Sequence, residues 1–397
     1  MSPVARILVQ ASSRSWKGAP DPCMAVIDGR PVVVHTIARL AAAFPGASLV
    51  LVAPAFDRGG PLEALLRRRV GMLFAHDADP LARLADATAD LDDDAVVLRC
   101  DGLHCFADLT YAHAMAARLA ARRLDCVKPP DDFPPALAVE AYRAGALRRL
   151  AAQLDPARDA AWRVHPKYAL CRPGGGFAFE HAPAPRYERA ELEALRAQAR
   201  RVYAAPRAEG DDARRLRAGD QSLFHYELAA PHLRDDMRVL EAACGDGAGT
   251  RFLSERVAEL TAVDVEPAQL PRLAALRARR APVRALAADV CRLPLPDARF
   301  DAVTSFETIE HTDPVACLDS FHRVLVSGGV LVLSTPQSSH GEVPINPHHA
   351  REWSLAEIVE LAQRRFTVRD VIGIKAGRIV VPGDPIGTNT VLVCEKP

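Results

Sequence analysis

The side chains with the clearest chemistry are three carboxylates that stand where short apolar runs end, and two histidines in polar segments further along. The first acid is Glu241, near the close of Val239-Leu240-Glu241-Ala242-Ala243, which leads into Cys244-Gly245-Asp246-Gly247-Ala248-Gly249-Thr250. An apolar run read as a buried parallel strand, followed by a glycine turn and a helical pattern, makes a corner that cradles a nucleotide. Gly245 and Gly247 let the backbone approach a ligand because they carry no Cβ. The spacing is not G-x-G-x-x-G, and a carboxylate at the strand end repels a pyrophosphate while accepting hydrogen bonds from an ammonium group. The second acid, Asp264, ends Leu260-Thr261-Ala262-Val263 roughly twenty residues on, where a doubly wound nucleotide site needs a carboxylate for the ribose hydroxyls. An ionised carboxylate accepts both hydrogens of a cis-diol. The third acid, Asp289, follows the run Val283 to Ala288.

The histidines come later. Ser305-Phe306-Glu307-Thr308-Ile309-Glu310-His311-Thr312-Asp313-Pro314 follows the apolar run that starts at Phe300. His311 is the first candidate for a general base, because imidazole titrates near neutral pH; the competing reading has it capping or packing the next helix. Glu310 is expected to orient His311 or the local loop. Asn346-Pro347-His348-His349-Ala350-Arg351-Glu352-Trp353-Ser354 carries a second group of polar side chains, with Ser354 placed to cap a helix. No cysteine or histidine spacing of a metal site is present, so a metal-independent site is expected.

These residues need a scaffold that brings strand ends together. Apolar runs at 239–242, 260–263, 283–288, 300–306 and 330–333, the last after Gly328-Gly329, alternate with helical patterns, and Val391-Leu392-Val393-Cys394 reads as the final strand. The amino-terminal third repeats the alternation with Ile7–Gln10, Ser48–Val52 and Ala95–Arg99 as strands and a helix through His35 to Ala43, which predicts a mainly parallel sheet. Pro129 to Pro135 is a rigid loop, and Glu140 to Gln153 has helical period. From Asp155 the pattern turns to aromatics, prolines and Gly174-Gly175-Gly176. Tyr187 to Tyr203 then reads as a charged connector helix with Glu191, Glu193, Arg196 and Arg200 on solvated faces, ending at Gly210-Asp211-Asp212. A further helix begins at Asp220-Gln221-Ser222 and runs to about His232. The fold class is α/β: two doubly wound α/β domains, at 1–155 and 219–397, joined by a helical linker at 156–218.

The order of glycine corner and strand-end acids resembles class I S-adenosylmethionine-dependent methyltransferases, whose domain is Rossmann-like with seven strands. The resemblance implies S-adenosyl-L-methionine as cofactor, with Glu241, Gly245, Gly247, Asp264, Val265, Asp289, Val290 and Phe306 around it. It gives Asp289 the adenine amino group and Val290 backbone and apolar contact. It makes Tyr226 a residue of a helix that closes over the cofactor, core packing being the other reading; His225 stands where relatives often have arginine. The segment from Glu307 to His311 is similar to the acid-x-x-E-H segment of small-molecule methyltransferases, which places Glu307 near the acceptor. The segment from Asn346 to Ser354 resembles a loop that roofs the acceptor pocket. There His349 joins His311 as a catalytic candidate, and His348 and Glu352 are expected to bind substrate, unless Glu352 is only a surface acid beside the Ser354 cap.

The amino-terminal domain resembles nucleotidyltransferases of the cytidylyltransferase kind, including the spore-coat polysaccharide type. The matching pieces are Asp28-Gly29-Arg30-Pro31, Asp79-Pro80-Leu81-Ala82-Arg83-Leu84 and Val97-Leu98-Arg99-Cys100-Asp101. The resemblance implies a metal-binding Asp101, which reads equally as a turn residue. Pro22 occupies the place of the family's phosphate lysine, and Arg14 and Lys17 replace it only if the loop is rearranged. The domain is expected to be degenerate, recognising a nucleotide or sugar or acting as a scaffold.

Composition sets the outer limits. In 397 residues there are 50 Lys and Arg and 50 Asp and Glu, and this neutral balance favours neither nucleic acid nor an anionic membrane. No apolar run has spanning length. The nine cysteines are odd in number and scattered, as in a reduced, cytoplasmic protein. The expected activity is O-methylation of a small-molecule acceptor, a sugar, nucleotide sugar or glycan-related compound. The alternatives are a bifunctional enzyme with an active cytidylyltransferase domain and a non-catalytic cofactor-binding scaffold.

Overall fold

A computed structural model of the chain describes residues 3–14, 21–203, 223–269, 271, 273 and 280–397. Lys17, Gly210-Asp211-Asp212 and Asp220-Gln221-Ser222 lie outside the described residues. The chain divides into two compact units, Met1–Asp212 with Ile345–Pro347 and Ala213–Pro344 with His348–Pro397.

The first unit is built on seven strands: β1 (Val4–Gln10), β2 (Ser48–Ala53), β3 (Gly71–Phe74), β4 (Val96–Asp101), β5 (Cys126–Lys128), β6 (Glu140–Arg143) and β7 (Phe179–His181). Their order is β3-β2-β1-β4-β6-β5-β7. The pairs along β3-β2-β1-β4 are parallel, whereas β6 runs antiparallel to both β4 and β5. The β5–β7 pair is parallel as well, so the sheet is mainly parallel, as expected, and mixed through β6. Glu140 to Arg143, expected as helix, is strand, and the helix starts at Ala144. Glu140 and Tyr142 alternate onto one buried face and bond to each other at 3.0 Å, and pairing with β4 and β5 overrides a pattern that four residues alone do not resolve.

Residues assigned to the linker also supply this unit. β7 extends its sheet, and Ala169, Leu170, Cys171 and Phe177 pack with Leu8, Val97 and Tyr142. The charged helix spans Arg189–Tyr203 and buries Leu192, Ala199 and Val202, so one stripe of it is core rather than solvated connector. Asp28 and Gly29, at φ 50° and 73°, form the two-residue turn of a hairpin between Val26–Ile27 and Arg30–Pro31.

The second unit carries β8 (Arg238–Ala242), β9 (Glu259–Asp264), β10 (Val283–Ala287), β11 (Phe300–Phe306), β12 (Leu325–Pro336), β13 (Thr367–Lys375), β14 (Ile379–Val380) and β15 (Asn389–Glu395). They lie in the order β10-β9-β8-β11-β12-β15-β13-β14. The first five are parallel and β15 inserts antiparallel between β12 and β13. Eight strands replace the seven expected, because the two-residue β14 caps the edge through Ile374 and Lys375. β12 is longer than the run from Val330 suggested: it passes through Gly328 at φ 75°, with a register shift against β11. The strand order reverses between β8 and β11, and an open α/β sheet binds its ligand at the carboxyl ends beside such a switch.

Candidate active site

The chain leaves β8 through a turn that holds three residues at positive φ: Ala243 at 62°, Gly245 at 54° and Gly247 at 84°. A Cβ at Gly245 would meet nothing within 4 Å, so glycine serves the backbone angle there and the space beside it stays open. Gly249 has a different reason. A Cβ there would lie 1.8 Å from Cζ of Tyr226, so its absence makes room for the tyrosine ring rather than for a ligand.

Glu241 points into this corner and is 1% exposed. Its two oxygens accept from the hydroxyls of Tyr226 at 2.8 Å and Thr250 at 2.5 Å, with no cation beside it among the described residues. Burial pushes its carboxyl up to about 7, against the pull of the Thr250 and Tyr226 hydrogen bonds. Tyr226 lies edge-on to Phe306, with ring centroids 4.7 Å apart, and its phenol is driven upward by burial and by Glu241. Asp264 accepts the backbone N–H of Gly245 at 2.8 Å and of Glu266 at 2.9 Å, which ties β9 to the glycine turn. Val265 stands exposed beside it, at 73%. Asp289 is exposed and accepts from Cys291 N at 2.9 Å, capping the short turn Val290–Arg292, while Val290 is buried.

Beyond β11, Glu307 sits at φ 50° with its carboxylate held by Ser334 Oγ at 2.8 Å and Asn389 Nδ2 at 2.6 Å. The half-buried His225 stacks on Phe306 and brings Nε2 to 3.7 Å from Glu307; burial lowers its pKa, against the opposite effect of Glu307. Glu310 is 1% exposed, and its Oε2 accepts from Thr335 Oγ1 at 2.9 Å. Its Oε1 is buried with no hydrogen-bond partner among the described residues. Burial first, then the neighbouring charges of Glu307 and Glu352, push this carboxyl well above the ordinary range.

The segment after β12 folds back onto this turn: Ala350 N donates to Glu310 O at 2.7 Å. His311 and His349 meet edge-to-face with centroids 4.9 Å apart. Nδ1 of His311 lies 2.9 Å from His348 O, and Nδ1 of His349 lies 2.7 Å from Glu352 Oε1. A carbonyl and a carboxylate only accept, so each Nδ1 carries a proton, which in the neutral form of a ring places the lone pair on Nε2. Glu352 is thus held against His349, and His348 presents its backbone oxygen to His311. Ser354 caps the helix Leu355–Gln363 in a capping box with Glu357.

The sequence reading missed Thr250, Thr335 and Asn389, the donors to Glu241, Glu310 and Glu307. Thr250 stood next to the glycine turn, but no spacing rule singles it out, and Asn389 reaches Glu307 only through the antiparallel insertion of β15. In the first unit Asp101 accepts from Leu103 N at 3.0 Å, as a turn residue does. Arg14 is exposed and its N–H donates to Ser12 Oγ at 3.2 Å.

Residues 240–333 match the family described as a methyltransferase domain. With the strand order above, the second unit carries a class I methyltransferase domain. A probable S-adenosylmethionine-dependent methyltransferase of Mycolicibacterium smegmatis is 37% identical to this chain over 145 residues, 35% of this chain and 55% of that protein. A protein of the same description from Mycobacterium tuberculosis is 37% identical over 143 residues, 34% of this chain and 50% of its own. Malonyl-[acyl-carrier protein] O-methyltransferase of Pseudescherichia vulneris is 36% identical over 107 residues, 27% and 41% of the two chains. The chain thus spans about half the length of the curated relatives it matches. Among the described residues no helix is long and apolar enough to cross a membrane.

Proposed function

We propose that the methyltransferase domain transfers a methyl group from S-adenosylmethionine to a hydroxyl of a small-molecule acceptor. The observation that carries this reading is the glycine corner at the sheet's switch point, with the open space at Gly245, the strand-end Asp264 and a buried Glu241 that has no cation of its own. These residues fit the cofactor's groups: Glu241 for the ammonium, Asp264 for the ribose diol, Asp289 and Val290 for adenine, with Tyr226 and Phe306 walling the corner.

The cofactor supplies a methyl already activated by its sulfonium, so the chain's own work is alignment and removal of a proton. Nε2 of His311 and of His349 are the basic atoms on the acceptor side. His349 is the better held of the two, since Glu352 fixes its tautomer and orientation. Glu307, anchored by Ser334 and Asn389, lines the same side. A sugar or nucleotide-sugar acceptor draws support from the first unit, through the resemblance in Asp28 to Pro31, Asp79 to Leu84 and Val97 to Asp101.

Calorimetric titration of the full chain with S-adenosylmethionine and S-adenosylhomocysteine tests the reading. Both are expected to bind, and Asp264→Ala to weaken each by about ten- to a hundredfold, through loss of two hydrogen bonds to a charged acceptor. Absence of binding by both ligands to the unmodified chain would sink it.

A further inference from the structure

We propose that Glu310, His311 and His349 form a binding site for one divalent first-row transition-metal ion, beside the glycine corner. One ligand atom from each of the three lies within 4.8 Å of the others. Ligands on a metal sphere of about 2.1 Å radius stand at most about 4.2 Å apart, so closing the set asks for side-chain shifts of about an ångström.

Four further features are those of a built site. Oε1 of Glu310 is buried without a hydrogen-bond partner among the described residues, and a buried carboxylate oxygen left in that state calls for a cation. Its other oxygen is anchored on Thr335, which fixes the direction of Oε1. Both imidazoles donate Nδ1–H to an outer acceptor, the His348 carbonyl and the Glu352 carboxylate, so the coordinating lone pair of each neutral ring is on Nε2. The backbone bond from Ala350 to Glu310 then holds the two halves of the set, which are far apart in sequence, at one place.

The donor set selects the metal. Two imidazoles favour zinc, iron, cobalt or nickel over magnesium and calcium, and one carboxylate keeps manganese within range. Three protein ligands leave coordination positions open. As to role, and here the inference rests on the proposed methyl transfer, an acceptor hydroxyl taking an open position would give up its proton to solvent more readily, and its oxygen would attack the methyl carbon as the sulfur–carbon bond breaks. The histidines are then ligands, and the ion takes over the task of the base.

The test uses the full chain, stripped with a chelator and titrated with Mn²⁺ and Co²⁺, with S-adenosylhomocysteine titrated separately. Mn²⁺ discriminates against the cysteines, which prefer softer ions. One ion per chain is expected, with affinity reduced at least about tenfold in Glu310→Gln and in His349→Gln. Both variants should keep S-adenosylhomocysteine binding within about twofold, which separates loss of a ligand from loss of the fold. No uptake of either ion, or equal uptake by both variants, would overturn the site while leaving the methyltransferase reading intact. Ion uptake in a chain that does not bind S-adenosylhomocysteine would uphold the site and overturn that reading instead.

Discussion

Each unit buries glutamate against its central sheet, and the two units neutralise it in opposite ways. Glu140 in the first unit accepts from Arg99 through both oxygens, at 3.1 and 3.0 Å, and from Lys167 at 2.9 Å. Burial drives its carboxyl upward, but the two cations outweigh burial and hold it well below the usual carboxylate range. Glu241 and Glu310 in the second unit are as deeply buried, yet their side-chain hydrogen bonds come from hydroxyls, with His311 Nε2 a further 3.9 Å from Glu310, and both are pushed upward. Burial acts alike on all three; the presence of an internal cation decides the sign. A buried charge matched inside the chain is part of the scaffold, whereas Glu241 and Glu310 are the carboxylates we propose to meet a cation that arrives as, or with, a ligand.

The sharpest way to break the comparison is to remove one of the two cations that meet Glu140 in the first unit. Arg99→Met leaves Glu140 with Lys167 and the Tyr142 hydroxyl, and breaking such a buried pair should cost about 3–5 kcal/mol in urea unfolding of the first unit. A loss under about 1 kcal/mol would mean that Arg99 does not balance Glu140.

In the second unit the same kind of change should do the reverse. Glu241 has a folded-state pKa of about 7 against an ordinary value of 4.5. Because its pKa is raised, its contribution to stability is complete below pH 4.5 and is lost as pH rises through about 7. Glu241→Gln should therefore gain on the unmodified chain by up to about 3 kcal/mol between pH 5 and pH 8 without ligand. The variant should bind S-adenosylmethionine at least about tenfold more weakly, since a neutral amide lacks the charge that matches an ammonium. A constant stability difference across that range would show that Glu241 is solvated.

Two smaller effects sharpen the contrast. Tyr226→Phe removes one of the two hydroxyls on Glu241 and should cost about 1–2 kcal/mol, read by thermal unfolding near pH 8. Ser354→Ala breaks only the capping box and should cost about 1 kcal/mol at any pH, which makes it the control for a purely structural loss. If Tyr226→Phe behaves like this control at every pH, the phenol is packing and not a partner of the carboxylate.

Sequence by itself determined the parts whose physics is local. The glycine corner, the apolar runs that lead to Glu241, Asp264 and Asp289, and the Ser354 cap all follow from backbone geometry and periodicity over a few residues. That is why the methyltransferase domain was legible before any coordinates. Tertiary structure decided what depends on partners far along the chain. Glu140 to Arg143 became strand because β4 offered an edge and Arg99 a counter-charge, facts absent from those four residues. β13 and β14 gained their places only by pairing with β15 and with each other. The approach of His349 to His311 and Glu310 depends on the loop after β12 folding back, which no spacing encodes. Whether a buried carboxylate meets an arginine, a hydroxyl or nothing is a three-dimensional fact, because low polarity makes the nearest few ångströms outweigh everything the local sequence says.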